Sequence, residues 1–128
     1  MKKILLLLVI ALSTSSIFAQ HTKAPATQLR HVVLFSFKAS STKEEVAAVT
    51  KAFNNLYGTV PQVKNMEWGM NMSPEHLDQG FTHCFVLTFS SEKDLMSYQQ
   101  EAAHKAFQAV LKPHMDKVFV VDYFVTPK

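Results

Sequence analysis

His31, His83, Tyr98, His104 and Asp122 are polar groups set in mostly apolar stretches of this 128-residue chain, and their types suit proton transfer. An imidazole such as His104 titrates near neutrality and can take up or return a proton. A phenol such as Tyr98 can donate a hydrogen bond to a carbonyl oxygen as negative charge gathers there. His31 and His83 can orient the polar ends of a ligand, and Asp122 can fix a histidine tautomer. The same types ligate metals, but none has the close spacing of a metal site, so neither a metal nor a cofactor is expected. Against this stands a purely structural reading: His31 and His83 satisfied at strand ends, Tyr98 in the core, His104 in solvent. The single Cys84 lies mid-strand and reads as a buried, inert thiol rather than a nucleophile.

The elements that must position these groups follow from periodicity. The segment 29–38 is rich in β-branched and aromatic residues and reads as a strand, with His31, Val33, Phe35 and Phe37 on one face. Ser41 or Thr42 caps a helix with Glu44 and Glu45 in its first turn; Val46, Val49, Phe53 and Leu56 form its apolar stripe, widened by Tyr57. Gly58 and Pro61 stop it. The segment 63–70 reads as a second, more polar strand at a sheet edge, with Trp68 taken as packing rather than as a ligand platform. After a loop over 71–80 comes a third strand with His83, Phe85, Leu87 and Phe89 on one face. Ser91 starts a second helical segment carrying Leu95, Tyr98 and Ala102, then Phe107, Val110 and Leu111. The segment 118–125 is the last strand.

The order strand, helix, strand, strand, helix, strand predicts an α+β, ferredoxin-like βαββαβ fold: a four-stranded antiparallel sheet with helices on one face. The strands are apolar on both faces, so the face away from the helices needs a cover. A large exposed apolar sheet face marks an interface, which predicts a homodimer packed sheet to sheet as a dimeric α/β barrel.

The first residues, Met1 to Ala19, combine a short basic start, a brief apolar run and small residues. This reads as a signal peptide over 1–19, too short to span a bilayer, followed by a flexible lead-in over 20–28 and one domain over 29–128. Export to a bacterial periplasm or beyond is expected, with no membrane attachment after cleavage. The chain holds 13 basic and 10 acidic side chains. Losing Lys2 and Lys3 brings the mature part close to neutral, so no nucleic-acid partner is expected.

His31 to Lys38, Trp68-Gly69, Gly80-Phe81-Thr82-His83, Tyr98 with His104, Phe107 and Val121-Asp122-Tyr123, in this order and spacing, resemble the stress-responsive A/B barrel domain (Dabb) family. The resemblance spans nearly all of the mature chain and implies a dimeric α/β barrel. In a plant polyketide cyclase of this type, residues matching Tyr98 and His104 serve an aldol cyclisation, and positions matching His31 and His83 are histidines. The resemblance therefore implies Tyr98 and His104 as catalytic residues. The ligand would be a small apolar or aromatic carbonyl compound, held by His31, Val33, Phe35, Phe53, Tyr57, His83, Phe85, Phe107 and Val120. The family pattern Tyr-x-x-His-Pro-x-His is altered here, with Glu101 and Ala102 in place of His and Pro. Along an unbroken helix, residues six apart point ~120° from one another; a break would re-aim His104. Two alternatives stand: a non-catalytic binding or structural dimer, and a monooxygenase-like or haem-binding barrel using Asn54, Trp68 and His104.

Overall fold

The computed structural model describes residues 27–126. The leader expected over 1–19 lies outside them, as does most of the expected lead-in. The elements are β1 (Leu29–Phe37), α1 (Lys43–Asn54), a single turn α2 (Leu56–Thr59), β2 (Asn65–Met70), β3 (His83–Phe89), α3 (Glu92–Gln100), α4 (Ala102–Leu111) and β4 (Met115–Phe124). The strands form one antiparallel sheet in the order β2-β3-β1-β4. This is the ferredoxin-like arrangement, with β2 and β4 at the edges.

Each helix begins where its sequence can satisfy free backbone donors. Thr42 and Glu45 form a reciprocal capping box at α1. Ser91 Oγ accepts from the Asp94 N–H at α3. Past α1 the chain kinks: Tyr57 is not helical and Gly58 takes a φ of 119°, a conformation open to glycine. Tyr57 therefore leaves the apolar stripe it was expected to widen and is half-exposed.

Pairing across β1 and β3 puts Leu29, His31, Val33 and Phe35 on the same face as His83, Phe85, Leu87 and Phe89. That face and the helices bury the core, which includes Val49, Phe53, Leu95, Tyr98, Phe107 and Leu111. The helical layer ends before β4. Val118, Val120 and Phe124 share the helix side with Val33 through the β1–β4 register, yet all three are close to half-exposed. On the other side of the sheet Phe119, Val121 and Tyr123 are exposed, with Val32, Leu34, Cys84 and Val86 partly so. Among the described residues, nothing covers the apolar face expected to need a partner.

Candidate functional site

Tyr98 and His104 flank a break between α3 and α4. Glu101 adopts φ −60° and ψ 139°, an extended conformation inside what would otherwise be one helix. Two neighbours stabilise it. The Glu101 N–H donates to the Tyr98 carbonyl at 3.1 Å. The Gln62 side-chain amide donates to Glu101 Oε1 at 2.7 Å and to Ser97 Oγ at 2.9 Å. The break turns His104 back over Tyr98, with ring centroids 4.5 Å apart. Neither Gln62 nor Glu101 is a site residue on sequence reasoning alone, because their meeting depends on tertiary packing. No proline lies between Tyr98 and His104, so the sequence carries no local signal that α3 ends there.

The tautomers follow from the hydrogen bonds. A carbonyl only accepts, so His104 Nδ1–H donates to the Gln99 carbonyl, 3.3 Å away, leaving Nε2 with a free lone pair. Burial lowers the His104 pKa below its usual 6.5; the Gln99 carbonyl opposes this and charge on His31 adds to it. Tyr98 is fully buried, and its hydroxyl has no hydrogen-bond partner among the described residues. Burial pushes its pKa well above the ordinary phenol value, so it stays protonated.

The β1–β4 register places His31 opposite Asp122. Their side chains meet, Nδ1 to Oδ1, at 2.6 Å. This settles the face of Asp122, which strand parity in the sequence leaves undecided. Residues directly opposed in an antiparallel pair share a face, so the signal lay in the pairing and not in β4 alone. The His31 ring also lies edge-on to Tyr98, centroid to centroid 6.1 Å. Tyr98, His104, His31 and Asp122 therefore form one cluster on the helix side of the sheet.

The remaining expected ligand residues fall elsewhere. Val33, Phe35, Phe53, Phe85 and Phe107 do not line an open pocket; they are buried and packed on one another. Phe53 stacks on Phe107 at 4.4 Å and meets Phe85 at 4.6 Å. Large aromatic rings at these positions fill the space between sheet and helices, as close packing demands. Tyr57 lies in the exposed kink, and Val120 on the uncovered strand β4. His83 is at the other end of the sheet, between Phe37 and Trp68, with its Nδ1 2.8 Å from Thr82 Oγ1. Asn54 and Trp68 line a cleft with His83, and His104 is not part of it. The three residues considered for a haem or monooxygenase site are therefore not brought together. Among the described residues, no three or more His, Cys, Asp or Glu side chains cluster closely enough to hold a metal.

Comparison with known proteins places the chain and its fold in a class. The family model described as the Stress responsive A/B Barrel Domain matches residues 29–125. A stress-response A/B barrel domain-containing protein of Arabidopsis thaliana is 36% identical over 95 residues, 74% of this chain and 87% of the relative. Olivetolic acid cyclase of Cannabis sativa is 27% identical over 100 residues, 78% of this chain and 97% of that protein. A crystal structure of an Arabidopsis thaliana protein superposes with a TM-score of 0.74 at 35% identity, covering 78% and 97% of the two chains. Hydroxynitrile lyase from Passiflora edulis gives a TM-score of 0.74 at 24% identity, over 81% and 98%. The fold is a ferredoxin-like α+β barrel unit, and the chain belongs to the stress-responsive A/B barrel domain family.

Proposed function

We propose that this protein binds a small aromatic or apolar carbonyl compound at the Tyr98–His104 cluster and carries out cofactor-free acid–base chemistry on it, of the cyclase or lyase kind. The observation that carries this reading is the buried Tyr98 hydroxyl, which has no partner among the described residues, beside the His104 imidazole. A buried polar group left unsatisfied costs about 1–3 kcal/mol, and a ligand oxygen would relieve it. The uncovered helix-side face of β4, with Val118, Val120 and Phe124, offers apolar surface on the same side of the sheet as His31 and Asp122.

In the cyclase direction, His104 Nε2 takes a proton from the carbon beside a carbonyl. Tyr98 donates to the oxygen of the resulting enolate, and the carbanion attacks a second carbonyl carbon. His104 then returns the proton to the new alkoxide. In the lyase direction, His104 removes the hydroxyl proton, the carbon–carbon bond breaks, and the leaving group is protonated. His31 donates its Nδ1–H to Asp122 and keeps its own Nε2 available for a ligand hydroxyl. That relatives include a cyclase and a hydroxynitrile lyase supports this class of chemistry.

The protein acts in this reading as an exported homodimer, closed through the apolar sheet face. That several structural neighbours of the same fold are described as dimeric supports the pairing. The close packing around Tyr98 favours a second reading, a non-catalytic binding or structural dimer.

Mandelonitrile, an aromatic hydroxynitrile, and acetophenone, an aromatic ketone, discriminate between the two. Benzaldehyde release, or a saturable acetophenone-induced shift of the His104 ring resonances, is expected in the wild type. Benzaldehyde release is expected to be lost in Tyr98→Phe and in His104→Gln, and the acetophenone-induced shift in Tyr98→Phe. If neither probe is turned over or bound, the non-catalytic reading takes its place.

A further inference from the structure

The cleft at the far end of the sheet has no part in the reading above. It lies between α1 and the β2–β3 edge and has a volume of about 810 Å3, within the range of small-molecule sites. Register puts His83 opposite Phe35, four residues along β1 from His31, so roughly 13 Å separates the two ends.

The floor of the cleft is aromatic. Trp68, the one tryptophan of the chain, is 45% exposed. Its ring plane lies within 1° of the His83 imidazole at 6.2 Å, and within 15° of Phe85 at 5.5 Å. Burial lowers the His83 pKa, so at neutral pH this ring is uncharged. Trp68 and His83 thus line the cleft with near-parallel rings, and the indole is half-exposed.

The facing wall is cationic. Lys43, Ala47 and Lys51 line the cleft from α1 at four-residue intervals and so share one side of the helix. Ala47 is short and leaves room between the two lysines. Lys38 is a third cation on the rim, already donating to the Pro113 carbonyl at 2.8 Å. Among the described residues, no acidic side chain lines the cleft. Among the described residues neither Lys43 nor Lys51 has a carboxylate at ion-pair distance. Charges of one sign around a concave apolar wall raise the local potential for an anion, while the aromatic floor selects a planar ring.

We propose that this cleft is a second binding site, for a planar aromatic anion such as an aryl carboxylate, its ring on Trp68 and its charge beside Lys43 and Lys51. The site is independent of the Tyr98–His104 chemistry and does not require it.

The test is a titration of 15N-labelled protein with 2-naphthoate and with its neutral counterpart 2-naphthalenemethanol. The single indole N–H resonance of Trp68 reports occupancy. Naphthoate is expected to move it saturably, at least tenfold more tightly than the alcohol, with the His104 resonances unmoved. The double variant Lys43→Glu/Lys51→Glu should lose that preference and bind 2-naphthylmethylamine, the cationic counterpart, in its place. Equal affinity for acid and alcohol overturns the proposal, as does a double variant that still prefers the acid. An indole that moves with protein concentration and not with probe would assign the cleft to contact between copies, and also overturns it. So does an indole that naphthoate does not move.

Discussion

The Tyr98 hydroxyl is a donor held ready inside a core, and that makes a sharp expectation at the scale of one atom. Removing an oxygen from a packed phenyl ring that already has its contacts should not destabilise the fold. Tyr98→Phe is expected to keep or raise the unfolding free energy, by up to about 1–3 kcal/mol, because an unsatisfied buried group disappears. The same variant should lose mandelonitrile cleavage. A fall in the denaturant midpoint would show that the hydroxyl has a structural partner and is not waiting for a ligand. His104 and His83 add a pH dependence. Burial lowers both pKa values below 6.5 in the folded state, so below pH 6.5 the unfolded chain binds protons first. Their contribution is complete above that value and is lost as pH falls toward the folded pKa values. Stability should therefore decline with acidification below pH 6.5, and His104→Gln should flatten part of that slope in urea titrations across pH. A slope unchanged in His104→Gln would mean that His104 is not desolvated.

At the scale of elements, the break at Glu101 decides whether Tyr98 and His104 form a site at all. Ala102 and Ala103 are good helix formers, and nothing local forces α3 to end. The Gln62 amide, reaching over from the loop after α2, ties Glu101 and Ser97. Gln62→Ala is expected to cost about 1–2 kcal/mol. It should also bring the His104 pKa, read by NMR, back toward its usual 6.5 as the ring leaves its buried position. Ala102→Pro should undo that change. Ala102 is the first residue of α4, where the backbone N–H has no intrahelical acceptor. A following proline also restrains residue 101 to the extended conformation it already holds. If the double variant Gln62→Ala/Ala102→Pro still titrates as Gln62→Ala alone, the break does not position His104.

For the whole molecule the open question is what covers the sheet. Phe119, Val121 and Tyr123 stand exposed on the face away from the helices. A second copy laid on that face removes them from water, at about 25 cal/mol per Å2 of apolar area. Val121→Asp puts an unpaired carboxylate into such an interface. It is expected to turn a dimer into a monomer by light scattering at micromolar concentration, with far-UV circular dichroism retained. A wild type that is already monomeric would remove the dimer from the proposed function.

What the sequence determined by itself was the order of elements and the face of most side chains. Alternation along 29–37 and 83–89 and the stripe Val49, Phe53, Leu56 are local patterns set by strand and helix geometry, and the structure keeps them. The family was legible for the same reason, since its motifs lie in order along one chain. Tertiary structure alone decided the rest. Whether Phe35, Phe53, Phe85 and Phe107 would line a pocket or fill it depended on volumes meeting across layers, and they fill it. The side taken by Asp122 depended on strand register with β1. The break that turns His104 onto Tyr98 is met by a contact from Gln62, which lies 39 residues from Glu101 in the chain. Each of these is a contact between distant segments, and no local periodicity encodes where such segments meet.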